Sequence, residues 1–146
     1  MANPQIVGHV HLKVRLLDRS IEFYSDVLGL DVTERHDRFA FLSWGERHHD
    51  VALQALGPDA SGPGPGPSAG LYHAAFEVPD REGLRDVSRR LRERGVAVSP
   101  VDHGISKALY FDDPDGNGLE VYLDTRTKTD ERWAGQNTRF DPETLV

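Results

Sequence analysis

A short sequence pattern occurs twice in this chain, once near the start and once just after the middle. The first copy reads GHVHLKV and the second reads LYHAAFEV, which sets His9 against His73. Each copy is followed by the same order of elements, a helix and then three strand-like runs. A repeated unit of this kind folds as two similar modules. We therefore predict an α+β fold in which two βαβββ modules form an open, curved sheet.

The first module begins with alternating apolar and polar residues at 6–14, which predicts a strand. Asp18 or Ser20 is the expected N-cap of the following helix, and Gly29 its C-cap. Further strands are expected at 30–34, 38–44 and 49–56.

The second module repeats this order, beginning with a predicted strand at 71–78. Asp80 is the expected N-cap of its helix, and Gly95 is expected to end it. The sequence DPDGN at 113–117 predicts a turn, because Pro fixes φ while Asp, Gly and Asn accept turn conformations. Its remaining strands are expected at 96–99, 108–111 and 118–123.

Residues 57–70 form a Gly/Pro-rich segment that neither a helix nor a sheet accommodates, so we predict a linker there. The chain is then a single domain over 1–146. Module one covers about 6–57 and module two about 71–124. The polar tail 125–146 is expected to be extended or a short helix, lying on the surface or on a partner subunit.

Composition narrows the classes of function. The net charge of −7 argues against a nucleic-acid partner, because phosphate binding requires clustered Lys and Arg. The absence of cysteine excludes disulfides and thiolate chemistry. We see no signal peptide and no apolar run long enough to span a membrane, so we expect no membrane partner and a cytoplasmic protein.

Three residues on separate predicted strands form a candidate metal site: His9, His73 and Glu120. Two histidines and one carboxylate are the ligand set of non-haem Fe(II) oxygenases and leave metal positions open for substrate and oxygen. Spacing alone does not decide the matter, because a histidine on a strand is more often structural. Alternation also puts His9 and His11 on one face of their strand.

The segments GHVHLKVRLLDRSIEFYSDVLGLDV, LYHAAFEV and FDDPDGNGLEVY resemble the motifs of the vicinal-oxygen-chelate superfamily, which includes glyoxalases, bleomycin resistance proteins and extradiol dioxygenases. The likeness covers residues 6–124. It implies that the two modules surround a metal ion and that the first ligand is His9 and not His11.

Within that superfamily the chain most resembles single-domain type I extradiol dioxygenases, because HHDVAL resembles their HH-x-x-A-L motif. The resemblance implies that His49 is the catalytic acid/base, while strand alternation puts His48 on the opposite face. It also implies that Tyr110 hydrogen-bonds the bound substrate and that His103, which resembles the family's histidine before that tyrosine, is a catalytic residue that helps to stabilise the anionic oxygens. The alternatives are that His48 and His49 are solvated, that Tyr110 is an ordinary core residue and that His103 caps a turn.

The resemblance implies a ring-cleaving dioxygenase that uses Fe(II), or Mn(II) in its place, with a small aromatic diol and dioxygen as substrates. A glyoxalase-type lyase or isomerase with Ni(II) or Zn(II) is the first alternative, and a non-catalytic resistance protein is the second. Glyoxalase I has a fourth, acidic ligand in the last strand of module one. Only Gln54 is polar there in this chain, which favours a three-ligand site.

Exposed strand edges in such a fold favour a homodimer or a higher homo-oligomer. Trp133 in the tail is a candidate contact with the partner.

Overall fold

The computed structural model describes residues 1–64 and 66–146. By its contacts the chain divides into two compact units, Met1–Gly64 (unit one) and Pro65–Val146 (unit two). The boundary falls inside the predicted linker 57–70. The described part of that linker has no helix or strand, and Pro65 lies outside the described residues.

Unit one contains one helix and a four-stranded mixed sheet. The strand order is β1-β4-β3-β2, in which β1 runs parallel to β4 and the other neighbours are antiparallel. The elements are β1 (Val10–Val14), α1 (Leu17–Leu28), β2 (Asp31–His36), β3 (Phe39–Ser43) and β4 (Val51–Ala55).

Helix α1 begins at Leu17, ahead of both predicted caps. Its N-cap is Leu16, which makes no side-chain capping bond, and Ser20 is buried within the helix. The prediction of Asp18 or Ser20 as N-cap is therefore wrong. The prediction for Gly29 is confirmed, because this residue has φ 68° and its N–H donates to the Ser25 carbonyl.

Unit two contains the second helix and a five-stranded mixed sheet of order β5-β8-β7-β6-β9. Strand β5 is parallel to β8, and the other neighbours are antiparallel. The elements are β5 (Ala74–Glu77), α2 (Arg81–Glu93), β6 (Ser99–Asp102), β7 (Ser106–Asp112), β8 (Gly118–Asp124), β9 (Thr138–Arg139) and a short 3₁₀ helix (Pro142–Thr144).

The caps of α2 follow the prediction more closely. The Asp80 side chain accepts a hydrogen bond from the Gly83 N–H, and Gly95 follows the helix with φ 69°. Leu84, Val87 and Leu91 are buried, which gives α2 its apolar face. The predicted strand at 96–99 is displaced, since pairing with β7 begins only at Ser99.

The predicted repeat and fold class are confirmed. Each unit begins with the order strand, helix and three strands, to which unit two adds β9, and each has its own open sheet with one parallel pair of strands. Within residues 1–64 and 66–146, neither helix has the length and apolarity that crossing a membrane would require.

Candidate functional site

Two predicted metal ligands, His73 and Glu120, face each other in unit two. His73 Nε2 lies 2.8 Å from Glu120 Oε2. His73 directly precedes β5 and is not inside it, whereas Glu120 lies within β8, opposite Ala75 of β5. Glu120 is only 9% exposed. The pair therefore sets an imidazole nitrogen and a carboxylate oxygen side by side at one end of the parallel strand pair.

A close backbone contact holds His73 in this position. A Cβ atom added to Gly118 would lie 2.6 Å from the Tyr72 carbonyl oxygen and 3.6 Å from the His73 Cβ. Only glycine permits the approach of β8 to the Tyr72–His73 segment. The glycine at the start of β8 is thus part of the reason that His73 reaches Glu120.

We predict that Gly118→Ala lowers the free energy of unfolding by about 1–3 kcal/mol, because the new methyl group overpacks against backbone. Displacement of Tyr72 should also separate His73 from Glu120 and weaken metal binding. Urea unfolding and metal titration would measure the two effects. Gly64→Ala is the matched control, because its Cβ would meet nothing within 4 Å. Equal behaviour of the two variants would contradict the role given to Gly118.

Tyr110 borders the His73–Glu120 pair. It lies opposite Glu120 in the β7–β8 ladder, and its ring centroid is 5.6 Å from that of His73. Burial, followed by the carboxylate of Glu120, raises the pKa of Tyr110 to about 12. The phenol is therefore neutral near pH 7 and keeps a hydrogen to donate.

The turn that joins β7 to β8 fixes this register. Asp113 Oδ1 accepts hydrogen bonds from the N–H groups of Asp115 and Asn117 at 2.8 and 2.9 Å. The turn prediction for DPDGN is confirmed.

His103 lies just after β6 and contacts Tyr110 directly. Its Nε2 is 2.8 Å from the Tyr110 hydroxyl oxygen. Unit two thus groups His73, Glu120, Tyr110 and His103. A cavity of about 320 Å³ opens beside them, lined by Tyr72, His73, Ala97, Ser99, Tyr110, Phe111, Asp112, Gly118 and Leu119.

Unit one contains a second group of histidines, made of His9, His49 and His48. His9 directly precedes β1 and is exposed, and its ring centroid lies 4.4 Å from that of His49. The ring of Phe41, on β3, lies 5.0 Å from His49. The predicted ligand His9 and the predicted acid/base His49 are therefore neighbours within this unit.

The prediction that His48 and His49 point to opposite faces of a strand is wrong. Both lie in the loop before β4, where strand alternation does not apply. His48 Nδ1 is 3.0 Å from His49 Nδ1, and His48 Nε2 is 2.9 Å from Glu34 Oε2. The register of β2 against β3 shifts between Val32 and Glu34, beside this contact.

The surroundings of His49 favour its neutral form. Burial, followed by the neighbouring charges of His9 and His48, lowers the pKa of His49. A neutral imidazole can accept a proton at neutral pH, which is what a general base must do.

The sequence did not predict two residues that contact the histidines of the two units. Glu34 was only one polar residue of a predicted strand, and Asn137 only one of a polar tail, yet they contact His48 and His103 respectively. No sequence pattern indicated either contact, because each joins segments that are distant in sequence.

The donor atoms of unit two fit a metal ion as a ligand pair. Across residues 1–64 and 66–146, no set of three or more His, Cys, Asp or Glu side chains is grouped for metal binding, and unit two groups the pair His73 and Glu120. His73 Nδ1 is buried and has no hydrogen-bond partner among the described residues. Because a carboxylate can only accept, His73 Nε2 donates to Glu120 in this arrangement, and a cation bound at Nε2 would require that hydrogen to sit on Nδ1 instead.

A comparison with known protein families agrees with this fold. The chain belongs to the Glyoxalase/Bleomycin resistance protein/Dioxygenase superfamily, also called the vicinal-oxygen-chelate superfamily, whose family model matches residues 6–121. The resemblance drawn from the sequence motifs is thereby confirmed.

Two dioxygenases are among its relatives. A catechol-2,3-dioxygenase of Bacillus subtilis (strain 168) is 39% identical over 126 residues, which cover 86% of this chain and 44% of that protein. Biphenyl-2,3-diol 1,2-dioxygenase 3 of Rhodococcus globerulus is 37% identical over 128 residues, covering 86% of this chain and 66% of that protein. The chain thus spans less than half of the first relative and about two thirds of the second.

The fold also matches solved structures. A glyoxalase/bleomycin resistance protein/dioxygenase domain from Frankia sp. EAN1pec superposes with a TM-score of 0.70 at 26% identity, covering 84% of this chain and 99% of that domain. Transferases and lyases also occur among the relatives, so membership of the superfamily by itself does not fix the reaction.

Proposed function

We propose that this protein is a non-haem Fe(II)-dependent extradiol dioxygenase that cleaves the ring of a catechol-type substrate. The observation that carries the proposal is the His73–Glu120 pair, bordered by the Tyr110 hydroxyl at a cavity of about 320 Å³. Cavities of this size suit small aromatic ligands. The dioxygenase relatives support the same reaction.

In this proposal, His9, His73 and Glu120 hold the metal. His73 and Glu120 supply facing donor atoms, and His9 is assigned from the sequence resemblance. Bound Fe(II) would supply the redox chemistry that couples a catechol to dioxygen, and Mn(II) accepts a similar ligand set.

The proton transfers fall to residues of the chain itself. His49 Nε2 is the atom proposed to take a proton from a catechol hydroxyl, since its Nδ1 faces His48. Burial and neighbouring charge lower the pKa of His49, so the free base is available near pH 7. After ring opening the same nitrogen would return the proton.

Tyr110 is proposed to orient the substrate. Its phenol, with a pKa of about 12, is a neutral donor that can hydrogen-bond an anionic substrate oxygen without losing its proton. His103, at 2.8 Å, limits the rotation of that hydroxyl. Both side chains are already placed by β6 and β7, so little reorganisation would be needed.

A glyoxalase-type lyase or isomerase is the second candidate, because lyases occur among the relatives. The fourth ligand expected of such an enzyme would lie in β4, where Gln54 is the polar residue. An amide oxygen is a weaker ligand than a carboxylate, which favours the dioxygenase.

The proposal predicts that protein reconstituted anaerobically with Fe(II) consumes oxygen when a catechol is added, and that a yellow ring-opened product accumulates with equal stoichiometry. An oxygen electrode and product spectra over a panel of substituted catechols would measure this. Protein loaded with Ni(II) or Zn(II) is the control, because neither ion exchanges electrons with oxygen in this setting. Inactivity on the whole panel, with turnover of a hemithioacetal by the Ni(II) form, would favour the lyase.

A further inference from the structure

The C-terminal tail contacts the candidate site inside unit two. Strand β9 pairs with β6, setting Thr138 opposite Asp102 and Arg139 opposite Val101. This pairing brings the preceding residues 133–137, which we call the tail loop, against His103. The Trp133 ring lies 6.4 Å from the His103 ring, and its Nε1 donates to the Gln136 carbonyl.

The tail loop surrounds one nitrogen of His103. His103 Nδ1 lies 2.7 Å from Asn137 Oδ1 and 3.2 Å from the Gln136 carbonyl oxygen. Both oxygens can only accept a hydrogen bond, so the arrangement favours a hydrogen on Nδ1, and the Asn137 oxygen is the nearer of its two acceptors. A neutral imidazole has one such hydrogen, which leaves Nε2 as an acceptor.

That acceptor faces Tyr110. The hydroxyl oxygen of Tyr110 is 2.8 Å from His103 Nε2, and the Glu120 carboxylate is a second acceptor for the same hydroxyl. The hydroxyl has one hydrogen to give. Whether His103 competes for that hydrogen depends on which of its nitrogens is protonated, and the tail loop fixes this.

We propose that Asn137 is a positioning residue that holds neutral His103 in the Nδ1–H tautomer and thereby sets the direction of the Tyr110 hydroxyl. Its catalytic consequence rests on the proposed function, whereas the tautomer itself does not. Without the Asn137 acceptor, only the Gln136 carbonyl at 3.2 Å still favours the Nδ1 hydrogen, and His103 can take the Nε2–H tautomer, donate to Tyr110 and turn the hydroxyl hydrogen away from itself.

The direct test is the tautomer of His103 in the full-length protein labelled with ¹⁵N-histidine. Long-range ¹H–¹⁵N correlation spectra distinguish the two tautomers, and His103→Gln identifies the signal by its loss. We expect the Nδ1–H form in the unsubstituted protein, appearance of the Nε2–H form in Asn137→Leu, and return of the Nδ1–H form in Asn137→Asp. Leucine matches the size of asparagine without an acceptor, and aspartate restores the acceptor.

An Nε2–H tautomer in the unsubstituted protein, or an unchanged tautomer in both Asn137→Leu and Asn137→Ala, would overturn the proposal. In catechol turnover, Asn137→Leu should raise kcat by about 2- to 10-fold, the size of one released hydrogen bond, with KM little changed, because His103 no longer takes the Tyr110 hydrogen that the substrate oxygen needs. Asn137→Asp should return kcat to that of the unsubstituted protein. A tautomer that responds as expected in a protein that cleaves no catechol would support the positioning role and reject the dioxygenase.

Discussion

Replacing Glu120 with glutamine should leave the purified protein folded and without its metal. Glutamine keeps the size of the side chain and can still hydrogen-bond His73, so the buried position is filled without an unpaired group. It removes the negative charge and the stronger oxygen donor. Because Glu120 is one of the three proposed ligands, metal affinity should fall by more than the roughly 10- to 100-fold that loss of an outer partner typically causes. Elemental analysis and isothermal titration would measure this.

The same loss is expected for His73→Ala and His9→Ala, since each removes one ligand of the proposed set. Glu46→Ala and His36→Ala, at exposed positions, are the matched controls and should keep their metal. Circular dichroism would show whether each variant is folded. Full occupancy in a folded His9→Ala protein would remove His9 from the ligand set and leave the His73–Glu120 pair as a two-ligand site.

The order of elements was predictable from the sequence because it depends on local signals. Apolar periodicity predicted both helices, and Gly29 predicted the end of α1. The Asp80 side chain caps α2, as expected. These signals act within a few residues of chain. They do not require knowledge of what each segment contacts.

The starts of the strands were not predictable in the same way. The alternating pattern reaches back to Ile6, but β1 begins at Val10, where its parallel partner β4 begins with Val51. A strand exists only where a neighbour supplies hydrogen bonds, and that depends on another part of the chain. His9 and His73 therefore lie ahead of their strands. There their side chains are not restricted to one face of a sheet.

The sequence named the residues of the candidate site but not the hydrogen bonds among them. Motif resemblance named Tyr110 and His103, and the structure puts them in contact. Nothing in the sequence indicated that Asn137 would contact His103, or that Glu34 would contact His48. Side chains in loops follow no period, so their directions depend on tertiary contacts.

The His49→Gln variant should keep its iron and its affinity for catechol while ring cleavage nearly stops. Glutamine cannot exchange a proton near pH 7, and neither a metal ligand nor a chelating substrate oxygen is changed. General acid/base groups contribute about 10²–10⁴-fold to rate, or roughly 3–5 kcal/mol of barrier. Stopped-flow measurement of catechol binding and of ring opening would separate the two steps.

His36→Gln is the control for this variant because it makes the same chemical change at an exposed residue at the end of β2. The adjacent His48 would be a poor control, since its Nδ1 lies 3.0 Å from His49 Nδ1 and its loss would alter the orientation of the His49 ring. We therefore expect the ring-cleavage rate of His48→Gln to lie between those of His49→Gln and His36→Gln. If His49→Gln turned over catechol as fast as His36→Gln, the proton would have to move through another group. The resemblance to the HH-x-x-A-L motif would then carry no catalytic meaning, and the lyase would become the better-supported function.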